Sequence, residues 1–342
     1  MIRYEIRAAT TEDEDDLLEL ARYLNSVNLP HDRDTIRRIL MHSEQSFRGE
    51  IEDVTRREYI FVLRDRSTQR AVGTSLIVSQ LGRRDAPYIY FEVRNEERYS
   101  ATLDRHFSHD VLSIGYSYDG PTEVGGLVIH PDARLSPDQL GMLISYVRFA
   151  FLATHRNVFQ SRVLAELLPP LEPDGTSRLW EAVGRKFTGL DYGAADRLSK
   201  LNKEFIRGLF PSGDIYVSLL PDDARAVIGK VGVQTRGVEK LLRRIGFRYW
   251  DRVDPFDGGP HFIANVDEVS LIQRTTRSTA IVGHPNSATR SLVCVETSAH
   301  PFFHAIAVPV QGTSDGSIID AEAAESLNIW TGAPIVVLPL DR

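Results

Sequence analysis

A single cysteine in 342 residues, Cys294, excludes an internal disulfide and any cysteine-ligated zinc site. Long hydrophobic runs are missing: nothing approaches the roughly 18 apolar residues of a membrane helix. The opening MIRYEIRAATTEDEDD also lacks the apolar core of a signal peptide, so a cytoplasmic location is expected. Excess positive charge is absent as well. A formal net charge of -7 opposes non-specific nucleic-acid binding, which needs a basic footprint, and suits a cationic small substrate. No Ser-His-Asp arrangement, Walker loop or dinucleotide fingerprint is visible. The pairs His106/His109 and His300/His304 have spacings a metal accepts, but no third ligand cluster stands beside either, so no metal site is expected.

What is present is an ordinary globular composition, 42% hydrophobic and 25% charged, long enough for one large or two modest domains. Leu17, Leu18, Ala21 and Leu24 recur at helical spacing behind a capping-box signal at Thr11 to Glu14, and a second helix starts near Asp34. Two β-rich runs, YIFVL from Tyr59 and VGTSLIV from Val72, flank a polar turn and predict a hairpin. Further strands are expected near Tyr88–Val93, Val111–Tyr118, Val124–Ile129 and Arg162–Leu167. Helices are expected from about Pro137 to Ala153 and over Ser177–Phe187. Asp257-Gly258-Gly259-Pro260 is a strong turn between two late strands. After Ser270 the composition shifts toward Ser, Thr, Ala and Val. The expected division is therefore residues 1–270, and a small β-rich segment over 271–342.

The order helix, helix, hairpin, strand, then EVGGLVIHPDAR opening a helix, resembles the GNAT acyltransferase pattern. Gly125 and Gly126 in that strand let a ligand backbone approach closely. Amides at the following helix start suit a pyrophosphate. Within that superfamily the chain resembles the arginine N-succinyltransferases. It shares Leu29-Pro30, the hairpin, Glu123, Ala165-Glu166, and Trp180 with Gly184, Phe187, Asp191 and Asp196. It also shares Ile215-Tyr216, AVIG at Ala226, Gln234-Thr235, GFRY at Gly246 and FDGGP at Phe256. The resemblance implies an α+β fold with a GNAT-like mixed sheet flanked by helices. It implies transfer of succinyl from succinyl-CoA to the α-amino group of L-arginine, in arginine catabolism. It also implies acyl-CoA as co-substrate, no permanently bound cofactor, and a homo-oligomer or a pair of related subunits.

The site residues follow from the same resemblance. Glu123 is expected as the acceptor of the amine proton and Tyr216 as a donor to the departing thiolate. Leu127, Val128, Ile129, Arg134, Gln139 and Gly141 are expected along the acyl-CoA, and Glu166 on the guanidinium of the substrate, since a planar fork matches a carboxylate. The chain departs from the family in several places, including Gly115 to Gly120, where relatives place an Asn-Asp pair, and Leu168, where they have an Arg. Relatives carry a His, regarded as their proton donor, where this chain has Gly232, and restoring it is expected to raise turnover if the loop keeps its shape. The phosphate turn has lost glycines. Ser136 reads as an N-cap, Pro137 as the first helical residue and Gln139 as the capping-box partner, which puts the Asp138 carboxylate at the positive helix end. The alternatives are a non-catalytic or regulatory subunit of the same family, and an acyltransferase for another amine.

Overall fold

The computed structural model describes residues 2–23, 29–84 and 86–340; Leu24 lies outside them. The strands are β1 (Tyr4–Ala8), β2 (Glu58–Asp65), β3 (Arg70–Val78), β4 (Tyr88–Ser100) and β5 (Arg105–Ser117). They continue as β6 (Thr122–Ile129), β7 (Arg162–Glu166), β8 (Ile215–Tyr216), β9 (Arg248–Val253) and β10 (Pro260–Asn265). The last five are β11 (Thr276–Val282), β12 (Thr289–Glu296), β13 (Phe303–Gly312), β14 (Ser317–Ile319) and β15 (Pro334–Pro339). The helices are α1 (Glu14–Leu20), α2 (Arg33–Phe47), α3 (Leu140–Thr154), α4 (Arg178–Ala182), α5 (Gly184–Thr188) and α6 (Tyr192–Leu201). After them come α7 (Glu204–Leu209), α8 (Asp222–Arg225), α9 (Arg236–Arg244), α10 (Ser270–Arg274) and α11 (Ala321–Leu327). Contacts divide the chain into two units. One joins Met1–Ser79, Thr122–Ser161 and Val266–Arg342, and the other joins Gln80–Pro121 with Arg162–Asn265.

In the first unit the strand order is β12-β15-β11-β14-β13-β1-β2-β3-β6. β1 pairs with β2 on one side and β13 on the other, Ile6 standing opposite Leu63 and Ala305, so late residues complete the unit that the first residues begin. The sheet is mixed, because β11 runs parallel to β14 while its neighbours pair antiparallel. β2 reads as a nearly continuous apolar run because both its faces are covered. Ile60 and Val62 pack with Leu17 and Leu20 of α1 and with Ile36 and Leu40 of α2. Phe61 meets Phe151 of α3 at 5.5 Å and Phe303 of β13 at 5.3 Å. Each such fully buried side chain contributes about 1.5–3 kcal/mol. The capping signal at the start of the chain is displaced by one residue: Asp13 accepts the Thr10 amide at 2.9 Å and forms a buried pair with Arg7.

In the second unit the order is β7-β10-β9-β4-β5-β8, with antiparallel pairings throughout the strands described. β4 and β5 run well past the expected spans because polar partners continue the ladder, as where Asn95 donates to Asp110 at 2.9 Å. The helix expected over Ser177–Phe187 is broken at Val183, where φ is -122° and ψ is -73°. Gly184 sits there against the Trp180 ring, with no room for a side chain. Trp180 in turn stacks on Phe256 at 4.9 Å and donates through Nε1 to the Leu190 carbonyl. Among the described residues no helix is long and apolar enough to cross a membrane.

Candidate active site

β6 carries a bulge. Thr74 of β3 stands opposite Val128 and Leu76 opposite Gly125, so Gly126 and Leu127 together face Ser75. Gly126 has φ +57°, and a Cβ there would approach Leu76 Cδ2 to 2.8 Å, which is why glycine occupies the kink. At the bulge the Gly125 carbonyl accepts from a side chain of α3. Arg148 donates to the Gly125 carbonyl at 3.2 Å, to the Ser145 carbonyl at 3.1 Å and to Ser145 Oγ at 2.8 Å. Ser75 Oγ donates to the Ile144 carbonyl at 2.7 Å.

Glu123 lies one turn of the pleat before this kink, buried and opposite Val78. Burial pulls the Arg148 guanidinium down to about 9, and the charge of Glu123 opposes that fall. The two buried charges therefore compensate each other beside an opened strand. Leu127 is half-buried; Val128 and Ile129 are buried, with Ile129 opposite Gly73.

The turn after β6 differs from the expectation. α3 begins at Leu140, and its N-cap is Gln139 in a left-handed conformation, φ +57°, without a side-chain cap. Ser136 is not the N-cap and Gln139 is not a capping-box partner. Ser136 Oγ instead accepts the Asp138 amide at 3.3 Å and donates to Asp138 Oδ2 at 3.2 Å. This local turn satisfies the backbone in place of a helix start. Asp138 thus precedes the helix, and its carbonyl is gripped by Arg290 of β12 at 2.9 Å. Arg134 donates to the Ile129 carbonyl at 3.1 Å and ties the turn to the strand end. Gly141 falls in the first turn of α3, where amides lack intrahelical acceptors.

The second unit holds the remaining candidates. Glu166 ends β7 opposite His261 of β10. His261 Nε2 is 3.5 Å from Glu166 Oε1 and makes no hydrogen bond, while Nδ1 meets the Tyr88 hydroxyl at 2.5 Å. Burial, with Arg252 adding to it, drives the His261 imidazole down to about 3, so it is neutral at pH 7. Among the described residues Glu166, Asp254 and His261 form a group whose ligand atoms lie within 4.8 Å of one another, close enough for a metal ion. Asp254 Oδ1 already accepts the Phe256 amide at 2.6 Å and the Asp257 amide at 3.3 Å, so it also builds the FDGGP turn.

Tyr216 pairs with Val111, and its hydroxyl donates to Glu96 at 2.8 Å and accepts from Arg98 at 3.3 Å. Glu123 and Tyr216 belong to different units. Gly232 is buried, with its amide on the Leu168 carbonyl at 2.9 Å. A Cβ there would stand 2.7 Å from the Pro169 carbonyl oxygen and 3.0 Å from that of Leu168. The loop as folded therefore has no room for a histidine.

The family model for the arginine N-succinyltransferase beta subunit matches residues 4–271. The chain belongs to the arginine N-succinyltransferase family. An arginine N-succinyltransferase of Yersinia pestis (strain Pestoides F) is 30% identical over 347 residues, covering 98% of this chain and 97% of the relative. The arginine N-succinyltransferase subunit beta of Pseudomonas aeruginosa is 30% identical, covering 98% of each. Among solved structures, arginine/ornithine succinyltransferase subunit AI from Pseudomonas aeruginosa superposes with a TM-score of 0.85 and 27% identity, and the whole of both chains is covered. The α+β fold with its GNAT-like sheet, expected from the sequence, is the fold of this family member.

Several residues shared with the family have structural explanations. Trp180, Gly184 and Phe256 form one packed cluster, and the Asp191 side chain accepts the Ala194 amide to cap α6. Arg148, His261 and Tyr88 are not among the residues that the sequence motifs single out. Arg148 was detectable as the lone charge in the apolar helix SYVRFAFLA, and His261 as the residue directly after FDGGP. Nothing local marks Tyr88, because its role depends on β4 and β10 sharing a sheet.

Proposed function

We propose that this chain is an acyl-CoA-dependent N-acyltransferase that moves succinyl from succinyl-CoA to the α-amino group of L-arginine. The observation that carries the reading is the bulged β6, with a buried carboxylate, Glu123, on the same strand and the buried Arg148 guanidinium within reach of its charge. In this reading residues 1–270 carry the chemistry, and the β-rich segment 271–342 completes the fold. The kinked stretch Leu127 to Ile129 pairs with the pantetheine arm. The turn at Arg134 and Gln139 and the amide of Gly141 meet the phosphates.

The substrate nitrogen attacks the thioester carbonyl carbon, and a C–N bond forms as the carbonyl π pair moves to oxygen. Glu123, directly or through water, takes the proton that nitrogen sheds. Collapse breaks the C–S bond, and the thiolate leaves with the sulfur electron pair. Its proton returns from Glu123 or from water, and Tyr216 serves here only if it first releases Glu96. Glu166 pairs with the guanidinium of the acceptor.

Gly232 supports a second reading, a family subunit that binds ligand with little turnover, because no side chain there holds a proton. Assembly with a copy of itself or with a related subunit fits the relatives that are named as subunits.

The test is free-thiol release from succinyl-CoA with L-arginine. Brisk release that Glu123→Gln reduces by roughly 10²- to 10⁴-fold supports the enzyme. Binding of CoA thioesters without release supports the subunit. Neither binding nor release, with any acyl-CoA, sinks both.

A further inference from the structure

The second unit contains a cavity of about 500 Å³ whose lining includes Arg84, Arg162 and Arg252 with Tyr90, Tyr116 and Trp250. Rings rather than acids hold two of these arginines. The Arg252 guanidinium lies 3.6 Å from the Tyr90 ring centre and 3.7 Å from that of Trp250, and Arg162 lies 5.1 Å from Trp250. Stacking fixes the plane of a guanidinium; part of the Arg252 edge is directed at the Tyr88 side chain, and the rest of its five N–H groups serve a planar anion. Among the described residues neither Arg162 nor Arg252 makes an ion pair with a carboxylate. Asp119 also lines the cavity and accepts from Ser117 at 3.2 Å. Among the described residues that line it, three guanidiniums stand against one carboxylate, a locally cationic hollow in a chain whose net charge is -7.

The wall of this cavity continues into the Glu166 cluster. Tyr88 packs on Tyr90 at 5.0 Å and lies parallel to Trp250 at 6.4 Å, and its hydroxyl reaches His261, which faces Glu166. A cationic hollow and an anionic side chain are thus joined through one tyrosine.

We infer that this cavity is a carboxylate subsite. Arg252 and Arg162 take the two oxygens of an alkyl carboxylate on their N–H edges, and its methylene chain lies on Trp250 and Tyr90. The inference rests on the acyl-transfer reading for its ligand. Under that reading two groups have this chemistry, the free end of the succinyl donor and the α-carboxylate of the amino-acid acceptor. In the second case Glu166 supplies the opposite charge for the guanidinium.

The experiment titrates the full chain with succinate, acetate, L-arginine, agmatine (arginine without its carboxylate) and CoA, followed by calorimetry and tryptophan fluorescence. The expected result is tighter binding of succinate than acetate, or of arginine than agmatine. Arg252→Gln and Arg162→Gln should each weaken the preferred ligand about tenfold, as for loss of a charge-assisted hydrogen bond, and leave CoA unchanged. Loss confined to succinate assigns the acyl end, and loss confined to arginine assigns the acceptor. Arg162 is exposed, so its variant keeps the test valid even if Arg252→Gln folds poorly. Two folded variants that bind every carboxylate like the wild type overturn the subsite. Equal loss of CoA also overturns it, since the cavity would then hold phosphate. Wild-type thiol release is measured separately. Its absence removes the acyl-transfer reading, while the titrations still decide the cavity.

Discussion

Gly232 and Leu168 are joined by a backbone hydrogen bond of 2.9 Å, and the same Leu168 oxygen stands 3.0 Å from where a Cβ on Gly232 would sit. The Pro169 oxygen is nearer still, at 2.7 Å, and neither can swing aside as a side-chain tip does. Thr235 Oγ1 also donates to the Leu168 carbonyl, at 3.0 Å, which fixes the loop further. Overpacking a site like this costs about 1–3 kcal/mol. Gly232→Ala should lower the urea midpoint accordingly, and Gly232→His should cost at least as much without faster thiol release. A Gly232→His protein that is both as stable as wild type and faster would show that the loop yields.

Gly126 is the hinge of the β6 bulge. Any side chain there meets Leu76 and must adopt φ +57°, a conformation that costs L-residues roughly 1–2 kcal/mol. Gly126→Ala should therefore destabilise by about that much and weaken CoA-thioester binding in calorimetry, since the kink presents the strand backbone. Full stability with unchanged binding would mean the kink is incidental.

Arg148 and Glu123 offer a contrast between stability and turnover. Arg148→Met removes the donor to the Gly125 carbonyl and the cation whose charge answers Glu123, and leaving such a buried group unsatisfied costs about 1–3 kcal/mol. Thermal unfolding should report that loss. Glu123→Gln removes the proposed proton acceptor but keeps the shape, so under that proposal thiol release should fall while CoA binding persists. A Glu123→Gln enzyme as fast as wild type would assign the proton to another group.

His261 sets a pH dependence whose sign is determined by burial. Its folded-state value is about 3, with burial as the main cause and Arg252 next, against about 6.5 in an unfolded chain. The unfolded state takes up a proton that the folded state refuses. The histidine's contribution is therefore fully present above pH 6.5 and is lost as pH falls toward 3. Burial raises the carboxyls of Asp254 and Asp257, and their contribution has the opposite sign, lost as pH rises. Comparing wild type with His261→Gln cancels those acids: the variant's denaturant midpoint should decline less between pH 6.5 and pH 4. Parallel declines would place the acid sensitivity elsewhere.

Residue period and turn chemistry are local properties, so the sequence by itself determined the β2–β3 hairpin, the β9–β10 pair around FDGGP, the apolar α3 and Glu123 on its strand. The resemblance to arginine N-succinyltransferases was equally legible, because its matching residues run in order along most of the chain. The start of α3 was misread for a local reason: Ser-Pro-Asp-Gln fits a helix cap and a tight turn alike, and the grip of Arg290 on the Asp138 carbonyl accompanies the turn. Tertiary structure alone decided what surrounds the candidate site. Arg148 beside Gly125, His261 facing Glu166, and the carbonyls that close off Gly232 each join residues far apart in the chain. Such contacts are set by strand register, bulges and packing, which no single stretch of sequence encodes.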